Sequence, residues 1–191
     1  MPPAILHIGG GVADTIDWDE YDLSTLPFQE FMRVLKPDRH MYIFSRWDVM
    51  DKLPKPQRLL IWDKMDCGMG DLQDWGIGYE VILMYKKGRR QINPPRVSDV
   101  ISCFKVANFH TQNNTSKKMV HPTQKPVALL RVLVDKSSQV GELVLDPFMG
   151  SGSTIIAAIR SKRAFCGVEI KPTYFKIAEE GIQDALNQRG L

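Results

Sequence analysis

The stretch LVLDPFMGSGST, residues 143–154, constrains the fold of this chain more than any other. Leu143, Val144 and Leu145 make an apolar run of the length of a short buried strand, and a helix-like segment follows over residues 153–162. Between them an Asp-Pro step ends the run, and Gly150 and Gly152 let the backbone turn tightly and approach a ligand closely. A strand that turns through glycines straight into a helix is a nucleotide-type loop. Two familiar versions are excluded. No lysine follows the glycines at P-loop spacing, and the third glycine of the dinucleotide fingerprint is missing.

The rest of the chain alternates in the same way. Apolar runs at 40–45, 58–62 and 79–88 read as strands, with RWDVMDKL as a short helix between the first two. A helix through Phe28, Phe31, Met32 and Leu35, capped by Ser24 or Thr25, precedes them and stops before Pro37. Downstream, Pro126 opens a helix with Val127, Leu130 and Val134 on one face. The strand at Leu143, the helix at Ser153, a strand over 164–170 and a helix from Pro172 complete the series. Strand and helix in alternation predict an α/β domain with a largely parallel sheet. With 191 residues the chain has enough length for one sizeable core, and a single domain is expected.

No apolar run approaches the roughly 18 residues that a membrane helix needs. The first residues, MPPAILHIGGG, have no basic region and no long apolar core, so a cytoplasmic protein is expected. Cys67, Cys103 and Cys166 form neither a ligand pair nor a C-x-x-C motif, which predicts free thiols and no metal site. The net charge of +3 is small, but its distribution is uneven. Lys86, Lys87, Arg89, Arg90, Arg96, Lys105, Lys117 and Lys118 face a single acid, Asp99, so residues 86–118 carry +7 and the remainder −4. Lysines and arginines neutralise phosphates, and Phe104 and Phe109 could pack on bases or wedge between them.

Three motifs, in one order, carry a resemblance to a known family. LDPFMGSGST resembles the cofactor loop of the DNA amino-methyltransferases that use S-adenosylmethionine (SAM), and CGVEIKPTYFKIAEE resembles the strand that follows it. HPTQKPVALL is the more specific match, because in the family's β-type motif order this segment comes immediately before the cofactor loop. Upstream, FQEFMRVLKPDRHMYIFS, LLIWDKMDCGMG and GYEVILMYKKG are similar to the family's helix and strands beyond the catalytic motif.

The resemblance implies a Rossmann-like methyltransferase fold with a mostly parallel twisted sheet. It implies Asp146, Phe148, Gly150 and Gly152 in the cofactor loop, Glu169 on the ribose, and His121, Thr123 and Lys125 at the amino-acid end of SAM. DNA is the implied partner and methylation within a restriction-modification context the implied setting. The organisation expected is a catalytic half over 1–87, a basic DNA-recognition loop over 88–120 holding six of the eight cations named above, with Lys86 and Lys87 just before it, and a SAM-binding half over 121–191.

One corner departs from the family. Its members carry an Asp/Asn/Ser-Pro-Pro-aromatic tetrapeptide at the end of the catalytic strand, where the resemblance implies that the acid and a proline carbonyl hold the target amine and the ring stacks on the extruded base. The corresponding place here is Met1, Pro2, Pro3 and Ala4, with neither acid nor ring. The spacing to Trp18 and to the helix after Ser24 supports that alignment. Losing a proton acceptor commonly costs ~10²–10⁴-fold in rate, and losing a stacking partner ~1–3 kcal/mol. A rival at NPPR, residues 93–96, has arginine in place of the ring. No apolar strand precedes Met1, so the sheet is expected to lack one strand, supplied by a second chain or answered by a homodimer partner. The expectation is adenine-N6 methylation by an impaired enzyme, with cytosine-N4 methylation and a noncatalytic SAM- or DNA-binding remnant as the alternatives.

Overall fold

The computed structural model of the chain describes residues 27–66, 73, 75–106 and 124–190, with the backbone of residues 4–6. Seven strands form one sheet: β1 (Ala4–Leu6), β2 (Arg39–Ser45), β3 (Arg58–Asp63), β4 (Tyr79–Lys87), β5 (Val100–Ser102), β6 (Leu143–Asp146) and β7 (Ala164–Gly167). Four α-helices accompany them: α1 (Phe28–Val34), α2 (Val127–Ser137), α3 (Ser153–Arg160) and α4 (Pro172–Gln188). The order across the sheet is β5-β3-β4-β2-β1-β6-β7. Every ladder is parallel except the two that β4 makes with β2 and β3. The sheet therefore has a carboxyl edge, where six strands end and β4 begins, and an amino edge, where β4 ends.

Strands covered on both faces read as continuous apolar runs, and β2 shows why. Met41 and Ile43 pack on one side with Phe31 and Leu35 at the α1 helix, while Tyr42 and Phe44 pack on the other with Leu129, Leu130 and Leu133 of α2 and Ala157 and Ala158 of α3. Helix α4 covers α3 through Ala178 and Ala185 against Ile155 and Ile159. The α/β class, the parallel sheet and the helical face of Leu130 and Val134 agree with the sequence reading.

Several details differ. The expected vacancy in the sheet is filled, because Ala4–Leu6 lies between β2 and β6, with Ala4 opposite both Met41 and Leu145. Two parallel strands facing an open slot would leave two rows of unpaired amides and carbonyls, and a three-residue strand is enough to satisfy them locally. The interval expected to be loop contains β5, held by Ile61, Trp62 and Asp63 of β3. Helix α1 begins after Pro27 with no side-chain cap, and Ser24 and Thr25 lie outside the described residues. The helix expected after β2 is a single 3₁₀ turn, Met50–Lys52. Tyr79, at the start of β4, is 39% exposed, whereas Trp62 of β3 is buried and its Nε1–H donates to the Cys103 carbonyl at 2.7 Å. Among the described residues no helix is long and apolar enough to cross a membrane.

Candidate active site

The carboxyl edge between β6 and β7 is built by the glycine loop. Strand β6 ends at Asp146, whose Oδ1 accepts the Phe148 N–H at 3.0 Å. Gly150 and Gly152 both adopt positive φ, at 51° and 80°, a region open to glycine at little cost. Gly152 has a second role. A Cβ there would stand 3.0 Å from the Ala178 Cβ, so this glycine lets α4 close on the loop as well as turning the chain into α3.

Glu169, two residues past β7, fastens the turn. One carboxylate oxygen accepts the Gly150 N–H and the other the Lys171 N–H, each at 2.9 Å. The Met149 N–H adds a bond to the Val168 carbonyl at 2.9 Å. Gly167, which sequence reading passed over, leaves space for the Met149 side chain, since a Cβ would fall 2.3 Å from its sulfur. The signal lay in the Cys-Gly-Val-Glu run, where a glycine inside a strand pattern marks a close approach.

Asp146 is the electrostatically unusual member of this edge. It is 1% exposed and its Oδ2 has no hydrogen-bond partner among the described residues; Ser153 Oγ, at the start of α3, is buried and unpartnered too. Burial pushes the Asp146 carboxyl up to about 7; the Thr154 side chain and the Phe148 amide oppose that shift, and the Glu169 charge adds to it. Phe148 is partly exposed and meets Phe31 edge to face at 6.0 Å between ring centres.

The other expected site residues divide into three groups. Met1, Pro2, Pro3, His121, Thr123, Lys117 and Lys118 lie outside the described residues. Ala4 begins β1 instead of standing past the end of a central strand, because the slot beside Leu145 takes its backbone. Lys125, expected at the cofactor's tail, is 4% exposed and gives its ammonium to Glu80 at 2.7 Å.

The basic segment is corrected most. Strand β4 runs antiparallel to β2, with Lys87 opposite Arg39, so Lys86, Lys87, Arg89 and Arg90 sit at the amino edge, across the sheet from the glycine loop. Lys87 Nζ donates to the carbonyls of Met32 and Leu35, at the end of α1, at 2.9 Å each. Arg90 pairs with Glu142 at 3.0 Å. Asn93 of the rival tetrapeptide caps α2 at that edge, donating to the Asp135 and Ser138 carbonyls at 2.6 and 2.7 Å, and Arg96 follows on the surface. Among the described members of those eight cations only Lys105, past the end of β5, stands at the carboxyl edge, 2.8 Å from Asp66.

The family model for N6/N4 methyltransferases, described as DNA methylase, matches residues 13–180. This chain belongs to that family. Among the relatives of this DNA methylase, Escherichia coli (strain K12) YubD is 28% identical over 98% of the chain and 82% of its own length. The DNA adenine methyltransferase YhdJ of the same organism is 30% identical over 78% of the chain and 62% of its own length, so the chain spans less than two thirds of that relative. The crystal structure of an M1.HpyAVI-SAM complex, 24% identical, aligns with a TM-score of 0.69 over 95% of this chain and 88% of that one, which makes the likeness one of fold.

SAM is the cofactor of the family, and the loop of this DNA methylase fits it. SAM brings a sulfonium and an ammonium, two cationic centres. A buried carboxylate oxygen with no partner, at a strand end beside a helix start, suits a cation far better than it suits an empty interior.

Proposed function

We propose that this chain transfers a methyl group from SAM to the exocyclic N6 of adenine in DNA, at a rate far below that of a family member with an acid and an aromatic ring flanking the Pro-Pro step. The observation that carries the cofactor part is the unpartnered, buried Oδ2 of Asp146 beside a glycine turn fastened by Glu169. Asp146 meets the positive charge of SAM's amino-acid end, and the backbone at Gly150 follows the contour of the cofactor. Phe148 lines the same loop. Glu169 keeps lone pairs free on both oxygens for the ribose hydroxyls while it holds the turn. The family resemblance assigns His121 and Thr123, which lie outside the described residues, to the cofactor's tail. When bound, SAM supplies an activated methyl on its sulfonium.

The chain's own residues must present the amine. A duplex base has to leave the stack to be reached, and the amine lone pair, delocalised into the ring, is freed by hydrogen bonds to its protons. The sequence contains two Pro-Pro steps, Pro2-Pro3 and Pro94-Pro95, and neither is followed by an aromatic residue. Asn93, ahead of the second, spends its amide on α2 at the far edge. Proximity to the methyl remains, and it supplies much of a transfer barrier without a positioned acid.

The choice of adenine over cytosine is a further step, since the family itself covers both N6 and N4 chemistry. A second reading, a SAM- or DNA-binding protein without methyl transfer, is favoured by the same missing acid and ring. Labelled methyl transfer to unmodified DNA, paired with calorimetric SAM binding, decides between them. Slow transfer with SAM binding supports the proposal, binding with no transfer supports the second reading, and turnover typical of enzymes, about 10 per second, overturns the impairment. In Glu169→Ala the SAM affinity should fall by about 2 kcal/mol or more, because a charge-assisted contact and the fastening of the loop disappear together.

A further inference from the structure

Glu80 was no part of the site expected from sequence, and its position is unusual. It lies at the start of the antiparallel strand β4, opposite Trp62, and so on the same carboxyl edge as Asp146. Although Glu80 is 8% exposed, both of its oxygens are engaged, one 2.7 Å from Lys125 Nζ and the other 3.0 Å from Lys64 Nζ. The Lys125 ammonium lies 5.5 and 5.6 Å from the ring centres of Phe44 and Trp62, and that of Lys64 5.3 Å from Trp62. One carboxylate thus ties together three separate segments: the turn after β3, the entry to β4, and the residues before α2.

We infer that Glu80 is a positioning residue of the cofactor pocket, fixing through Lys125 the place where the segment before α2 meets the carboxyl edge of the sheet. The inference rests on the proposed SAM site, because that segment also carries His121 and Thr123. A buried ion pair is a weak source of stability. Desolvation takes several kcal/mol per ion, and apolar residues of similar volume often serve as well or better. What the pair does supply is direction. Lys125 has its charge buried against aromatic rings, where burial pulls its pKa below the ordinary value and the Glu80 charge opposes that pull. An ammonium so placed has one low-energy position, beside Glu80, and the backbone of Gln124, Lys125 and Pro126 follows it.

The test compares Glu80→Gln with the double variant Glu80→Gln/Lys125→Met, in which no buried charge is stranded. Amide hydrogen exchange at Gln124 and Lys125 is measured in the ligand-free protein, with thermal melting, SAM calorimetry and the SAM dependence of methyl transfer. Glu80→Gln should speed exchange at both amides and weaken SAM binding by about tenfold or more, the effect of leaving one buried charge unsatisfied. KM for SAM rises while kcat at saturating SAM stays within about threefold, as expected when only ground-state placement is lost. The double variant should regain the melting temperature but keep the weak SAM binding, since the directional tie is still missing.

Wild-type exchange and wild-type SAM affinity in folded Glu80→Gln would overturn the inference. Recovery of both stability and affinity in the double variant would overturn it as well, leaving Glu80 a purely structural partner. A wild-type chain that binds no SAM would instead defeat the functional reading, and the exchange at Gln124 and Lys125 would still judge Glu80 by itself.

Discussion

The two edges of this sheet treat their polar groups in opposite ways. At the amino edge most polar groups have close partners, with Ser161 Oγ at the end of α3 the exception among the described residues. The His40 Nε2–H donates to the Arg90 carbonyl at 3.1 Å, its Nδ1 accepts from Ser137 Oγ at 2.9 Å, and the Tyr42 hydroxyl donates to the same Oγ at 2.5 Å. Glu142 takes Arg39 and Arg90 together, and Lys136 reaches the Asn93 and Pro95 carbonyls. At the carboxyl edge Asp146 Oδ2 and Ser153 Oγ are buried without partners among the described residues. Large side chains also stand in solvent on the carboxyl side, among them Trp47 after β2 and Phe104 after β5, at 60% and 65% exposure. Saturated networks hold a fold; unsatisfied buried groups await a ligand.

The sharpest way to break this contrast is to remove one group from each edge. Asp146→Ala should weaken SAM binding by about 2–5 kcal/mol, the usual cost of deleting one member of a buried charge pair. Its effect on the stability of the ligand-free protein should stay below about 1 kcal/mol, because the loss of its contacts with the Phe148 amide and the Thr154 side chain is offset by relief of an unsatisfied oxygen and of a buried carboxyl. Asn93→Ala should do the reverse. Three hydrogen bonds vanish with its amide, to Asp135, Ser138 and Gln139. Stability should drop by about 2–3 kcal/mol with SAM affinity of the folded protein unchanged. Denaturant melts and calorimetry on the two variants check the crossing pattern, and parallel losses in both would erase the distinction between the edges.

This contrast also separates what sequence could tell from what it could not. The carboxyl edge was legible where a local pattern dictates a local shape: the apolar run into Asp-Pro, then glycines, then a helix. Glu169 was implied by the resemblance, and it stands two residues past β7, where its carboxylate holds the Gly150 N–H. What failed was direction. Charge counting cannot see that β4 runs against its neighbours, and that reversal carries Lys86 and Lys87 to the edge away from the glycine loop. Nor could spacing pair Glu80 with Lys125 across intervening strands, or show that three residues, Ala4–Leu6, suffice to bridge β2 and β6. β5 was missed for the same reason, since a strand that short exists through its partner β3 and has no periodicity of its own.

A titration sharpens the comparison further. Asp146 has its carboxyl pushed up to about 7 by burial, against an unfolded value near the ordinary aspartate range. Between about pH 4 and 7 the unfolded chain has therefore released a proton that the folded, ligand-free chain retains. Stability of that form should fall as pH rises through this window, by at most about 1.4 kcal/mol per unit, and level off above about 7. SAM affinity should move the other way, because below about 7 a cationic ligand must first displace that proton. The gain is at most about tenfold per unit and ends once the carboxylate is charged. In Asp146→Asn both slopes should flatten. A wild-type SAM affinity independent of pH between 5 and 8 would mean that the orphaned oxygen does not meet the cofactor's charge.

The smallest effect concerns DNA, where the comparison reduces to two exposed cations. Lys105 stands at the carboxyl edge with its side chain 40% exposed, beside an equally open Asp66 at 2.8 Å, a pair that by itself contributes little. Arg89 stands at the amino edge, its backbone N–H held by Asp38 at 2.7 Å. If DNA lies across the carboxyl edge, each phosphate neutralised by a lysine releases condensed counterions and adds about 0.9 to the slope of log affinity against log salt. Lys105→Ala should then lower the slope by about that amount and weaken binding uniformly across sequences, as loss of a phosphate contact does. Arg89→Ala should leave slope and affinity unchanged. The opposite result, with Arg89 changing the slope and Lys105 silent, would put the nucleic acid on the amino edge, away from the exposed Phe104.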